Sequence, residues 1–102
     1  MKIKIGCMSY DLKPSKTICK EEGLAGKISF NTGMIEIQTG VGIQMRKEIL
    51  WHEVVHGILE EIQSDKFDDE VFVDTMARQL MMLHDNNNFD KIYDEIGGRR
   101  YE

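Results

Sequence analysis

The hydrophobic pattern of this chain changes period once, near residue 40, and that switch bounds what it can fold into. Before it, Lys2, Ile3, Lys4 and Ile5 alternate polar with apolar, so residues 2–8 are predicted as a half-buried strand. Ile28 and Phe30, then Ile35 and Ile37, alternate with polar neighbours on either side of Asn31-Thr32-Gly33. That pattern predicts a β-hairpin over 27–38, with the glycine taking the positive φ a tight loop needs. Residues 9–26 are mixed. Pro14 reads there as the opening of a short helical turn that runs through Glu22 and stops at Gly23. Gly40 and Gly42 break the last strand.

From Ile43 to Gln63 the period becomes 3.6. Trp51, Val54, Val55, Ile58, Leu59 and Ile62 share one arc, while Ile49 and Leu50 fall outside it, so this helix is expected to be covered on more than one side. A second helix is predicted over 68–84, with Val73, Met76, Ala77, Leu80 and Leu83 as its stripe. Asp68 and Asp69 stand at its start, where acids meet the helix dipole and cap free N–H groups. After Asn86-Asn87-Asn88 a short third helix is predicted from Phe89 to Ile96, ended by Gly97-Gly98. The expectation is one α+β domain, mainly β over 1–40 and mainly α over 43–96, with 97–102 as a tail.

Composition narrows the function. The 102 residues carry 18 acidic against 13 basic side chains, a formal charge of −5. An acidic balance argues against nucleic-acid binding and against a polybasic membrane clamp. No apolar run approaches the roughly 20 residues that span a bilayer, and no signal-peptide pattern opens the chain. With only Cys7 and Cys19, the expectation is reduced thiols in a cytoplasmic protein. A Cys7–Cys19 disulfide is the less favoured alternative. The oligomeric state is not legible.

The chemistry-bearing segment is His52-Glu53-Val54-Val55-His56, an HExxH pattern on the first predicted helix. Four residues rise about 6 Å and turn about 400°, so the two imidazoles leave the same face. They can meet one metal ion at the roughly 2 Å bonds zinc prefers. Glu53 projects about 60° from His56, near enough to work on a water without being a ligand.

A catalytic zinc wants a third protein ligand and an open position. A third histidine at metzincin spacing is excluded, because Leu59 and Ile62 occupy the diagnostic positions. Asp65, Asp68 and Asp69 lack supporting spacing. Glu70 fits: with Asp74 it borders the apolar stripe of the second helix, where an acid is costly unless something neutralises it. Asp74 then either accepts the free ring N–H of a ligand histidine or pairs with Arg78, its i+4 neighbour. His84 lies 14 residues past Glu70, about 21 Å along a straight helix, too far to share the ion. His84 reads instead as a helix C-terminal cation, Trp51 and the methionines as core.

HExxH followed by Glu70-Val71-Phe72-Val73-Asp74 resembles the gluzincin pattern HExxH…ExxxD. The short gap between His56 and Glu70 is similar to the small ImmA/IrrE-like and phage-type metallopeptidases, as are the hairpin before the helix and the run Met76-Ala77-Arg78-Gln79-Leu80-Met81. The resemblance covers about residues 26–90. It implies a zincin-like fold with Zn2+ held by His52, His56 and Glu70, Glu53 as general base and Asp74 as the supporting carboxylate. It implies a peptide or protein substrate, such as a regulatory protein, bound as an extra strand on the sheet edge nearest the metal. That edge is expected to be Met34–Gln38. The sequence departs from the pattern in lacking the proline that often follows the apolar run. It also offers no matched donor for the developing oxyanion, leaving Tyr10, Tyr93, Tyr101 and His84 as candidates.

The expected function is a cytoplasmic zinc metallopeptidase. Its rivals are a zinc-binding regulatory or interaction protein of the same fold with little turnover, and a zinc hydrolase acting on another amide or an ester.

Overall fold

The computed structural model describes residues 1–16 and 25–97. Four strands and three helices follow in order: β1 (Lys2–Ile5), β2 (Met8–Ser15), β3 (Gly26–Ser29), β4 (Met34–Gln38), α1 (Ile43–Glu61), α2 (Glu70–Asp85) and α3 (Phe89–Glu95). The strands form one mixed sheet in the order β1-β2-β4-β3, and the chain is a small α+β protein.

The first strand ends at Ile5, three residues short of expectation. Gly6 takes φ +61°, the chain turns back, and Ile5 pairs with Met8. Strand β2 then occupies the stretch expected to open a helical turn. Its signal was present: Met8, Tyr10 and Leu12 alternate with Ser9, Asp11 and Lys13, and Tyr10 is buried. Pro14 is a strand residue paired with Ile37. Asp11 N–H bonds Gly33 on the β4 side and Leu12 N–H bonds Met1 on the β1 side. By alternation the nitrogen of Pro14 faces the β1 side, past the end of that strand's pairing, where a missing N–H breaks no ladder bond. The rest of the expected turn, with Cys19 and Gly23, lies outside the described residues, as does the tail from Gly98 onward.

The hairpin forms as expected. β3 and β4 pair antiparallel from Ser29↔Met34 to Gly26↔Ile37, and Gly33 turns the chain at φ +64°. β4 also pairs in parallel with β2, so it is interior to the sheet. This corrects the expected substrate edge. Among the described residues the margin beside the helices is β3. Strand order is set by non-local pairing, which no local pattern in Met34–Gln38 encodes.

α1 lies between two layers. On one side Ile5, Tyr10, Ile35 and Val54 form a buried cluster between sheet and helix. On the other, Val55 and Leu59 meet Val73 and Ala77 of α2, and Trp51 packs against both clusters. Ile49, outside the expected arc, is buried. Ile58 and Ile62 are not: they are 37% and 65% exposed, and Ile62 already lies past the last residue of α1. On α2 the buried residues are Val73, Ala77 and Met81, whereas Met76 and Leu83 are exposed. Gly57 lets α1 sit close on the sheet, since a Cβ there would come within 2.8 Å of Ile5 Cδ1 and 3.2 Å of Ile28 Cδ1. No helix among the described residues is long and apolar enough to cross a membrane.

Candidate metal centre

His52, Glu53 and His56 all lie on α1, and Glu70 is the first residue of α2. The start of α2 is fixed by Asp69, whose Oδ1 accepts the Phe72 N–H at 3.0 Å. That cap aims the Glu70 carboxylate across at α1. Its Oε2 lies 3.1 Å from His52 Nε2 and its Oε1 3.4 Å from His56 Nε2. The two Nε2 atoms are 3.2 Å apart. One donor atom from each of His52, His56 and Glu70 therefore falls within 4.8 Å of the others, a cluster that can hold a divalent metal.

Asp74, one turn along α2 from Glu70, places Oδ1 2.7 Å from His52 Nδ1. A carboxylate only accepts, so Nδ1 is the donor in that contact, and Nε2 is the ring nitrogen turned toward the cluster. Of the two roles open to Asp74 from sequence, the contact is with histidine; Arg78 instead approaches Glu48 at 3.8 Å.

His56 is held differently. Its side chain is 12% exposed and its Nδ1 is buried without a full hydrogen bond, although the backbone of Phe67 lies near it. Burial is the largest influence and holds the imidazole below its ordinary pKa; the neighbouring His52 pushes the same way. A neutral imidazole is the form that ligates. The Phe67 ring packs edge-on against His56, with centroids 5.3 Å apart, and touches Phe30 at 5.7 Å. Sequence reading missed Phe67. Its signal was that of a lone large apolar residue in the polar connection between α1 and α2.

Glu53 is 6% exposed. Burial pushes its carboxyl up to about 7; His52 opposes that rise and Glu70 adds to it. Sequence reading also missed Gly26 of β3, which faces this carboxylate. A Cβ at position 26 would come within 2.6 Å of Ile49 Cγ2 and 3.1 Å of Glu53 Oε2. Two hollows of about 320 Å3 each flank the cluster and share Gly26, His52 and Glu53. One extends past Met45, Ile49 and Ala77 toward Glu48 and Arg78; the other past Ile28 and Phe67.

Of the candidate oxyanion donors, Tyr10, Tyr93 and His84 do not line either hollow. Tyr10 is buried between sheet and helix, Tyr93 is on α3, and the His84 ring packs on Trp51 at 5.7 Å. Tyr101 lies outside the described residues. Comparisons with protein-family models, with curated proteins and with solved structures find no match to this chain.

Proposed function

We propose that this chain is a small zinc metallopeptidase of zincin-like architecture, akin to the gluzincins and the ImmA/IrrE-like and phage-type enzymes, with a peptide or protein as substrate. The observation that carries this reading is the cluster itself: three donors from two helices, with a buried carboxyl beside them. A tetrahedral ion with bonds of about 2.0–2.1 Å sets its donors about 3.3–3.4 Å apart. Here the two Nε2 atoms are 3.2 Å apart, and the Glu70 oxygens Oε2 and Oε1 lie 3.1 Å from His52 and 3.4 Å from His56 respectively. Two imidazoles and one carboxylate are also a donor set that suits zinc.

Zinc held by His52, His56 and Glu70 would supply Lewis acidity toward a carbonyl oxygen and make water acidic near neutral pH. The chain's own residues do the rest. Asp74 fixes the tautomer of His52. Glu53 takes the proton from the attacking water on a carboxylate oxygen and returns it to the departing amine nitrogen.

An extended substrate is served by β3. Gln38 N–H bonds the Ala25 carbonyl, so by alternation Ala25, Lys27 and Ser29 turn their backbone toward β4. Gly26 and Ile28 turn theirs toward the margin beside the cluster, where a peptide strand can add. With no side chain, Gly26 lets Ile49 and Glu53 pack directly against the β3 backbone, which brings the Glu53 carboxylate beside this margin.

A second reading is a zinc-binding regulatory protein of the same fold with little turnover. It is favoured by one observation: among the described residues, neither hollow is lined by a tyrosine or a third histidine. Zinc-loaded protein assayed on casein and a peptide library, beside Glu53→Gln, tests the proposal. Cleavage lost in the variant supports the peptidase. No cleavage by either protein, with zinc bound by both, favours the regulatory reading.

A further inference from the structure

The far end of α1 carries an open groove that the metal centre does not use. It measures about 570 Å3, with Leu12, Pro14, Ile37 and Leu50 along it and Ile43 at its lip. Three cationic residues, Lys13, Arg46 and Lys47, edge it. Lys47 is paired with Asp85, so Lys13 and Arg46 leave this edge net positive in a chain of net charge −5.

α3 has the opposite character. Phe89, Ile92, Tyr93 and the capping Ile96 follow at i, i+3, i+4 and i+7, the stripe of a helix that covers an apolar surface. Yet α3 buries none of its residues, and the four are 36–74% exposed. Asp90 and Glu95 flank the stripe on either side, while Lys91 and Asp94 lie on the opposite face, so the borders of the stripe are acidic where the groove's edge is basic.

α3 makes little contact with the other elements of its own chain, and local hydrogen bonds fix the connection that leads to it. Asn86 N–H bonds the Met82 carbonyl, Asn87 Nδ2 donates to the Leu83 carbonyl, and Asn88 Oδ1 accepts the Lys91 N–H. At the same time Asp85 and Lys47 form an ion pair at 2.6 Å, which anchors the last turn of α2 beside the groove. The radius of gyration, 15.2 Å, exceeds the about 13 Å of a compact chain of this length. Two such molecules can each satisfy the other.

We propose that the occupant of the groove is α3 of a second copy, and that the exchange is reciprocal, giving a closed dimer with two identical helix-in-groove contacts. Phe89, Ile92, Tyr93 and Ile96 cover the apolar wall, while Glu95 meets the basic edge. The contact lies away from the metal centre and does not depend on its chemistry.

The test uses sedimentation equilibrium of the full chain. The expected wild-type mass is twice 11.8 kDa. Ile92→Glu charges the exposed stripe of α3. Ile43→Glu charges the groove lip at the first residue of α1, where an acid suits the helix dipole and the fold is kept. Each variant alone should weaken the dimer at least tenfold. Mixed, they should recover a heterodimer, because the intact α3 of one meets the intact groove of the other. A monomeric wild type overturns the proposal. So does a dimer that survives Ile43→Glu, or a mixture of the two variants that stays monomeric.

Discussion

The Nδ1 atom of His52 lies 2.7 Å from Oδ1 of Asp74, so a carboxylate on α2 decides which nitrogen of a histidine on α1 faces Glu70. Asp74→Asn offers an amide that can present its N–H instead and frees the tautomer. The expected result is a 10–100-fold loss of zinc affinity with an unchanged far-ultraviolet spectrum, read by competition with a chromogenic chelator.

Glu53 adjoins His52 in the chain but is not one of the three clustered donors. Glu53→Gln keeps the side-chain volume, so zinc stoichiometry should be unchanged while peptide hydrolysis falls at least a thousandfold. Steady-state kinetics on a cleaved peptide, with metal content measured on the same sample, checks this.

The same residue sets a pH dependence in the metal-free protein. Its carboxyl is raised from 4.5 to about 7 on folding, so between those values the native state binds more protons than the unfolded chain. Stability conferred by the protonated form is present below about 4.5 and is lost as pH rises through about 7. Glu53→Gln removes this slope. The difference in Tm between wild type and variant, measured in chelator, should therefore grow in favour of the variant from pH 5 to pH 8.

Asp69 positions Glu70 through the first turn of α2. Asp69→Ala should lower stability by about 1 kcal/mol in urea unfolding. It should also weaken zinc binding, because the third donor sits on the turn that frays.

Close packing of α1 on the sheet depends on Gly57. Gly57→Val places methyl groups where Ile5 and Ile28 already lie. An overpacking cost of about 1–3 kcal/mol is expected in the same urea assay.

The site was legible in the sequence where its geometry is local. His52, Glu53 and His56 sit on one helix, and the spacing of a helix is fixed. Glu70 could be placed because an acid at the border of an apolar stripe needs a partner. The hairpin was legible through Asn31-Thr32-Gly33. What was hidden is non-local. The parallel pairing of β2 with β4 moved the sheet margin from Met34–Gln38 to Gly26–Ser29, and Pro14 disguised a strand whose proline happens to face past its neighbour's end. Phe67 was hidden because its partners, His56 and Phe30, lie 11 and 37 residues away in sequence. The exposure of Ile62 reflects its position past the last residue of α1, which periodicity does not report.

The most direct measurement is elemental analysis of untagged protein dialysed against trace zinc, run in parallel on His56→Ala and Glu70→Gln. One zinc per wild-type chain, with less than a tenth of that in each variant at unchanged helix content, is expected. A wild type that retains no zinc, or variants that retain as much, would contradict a metal centre built from His52, His56 and Glu70.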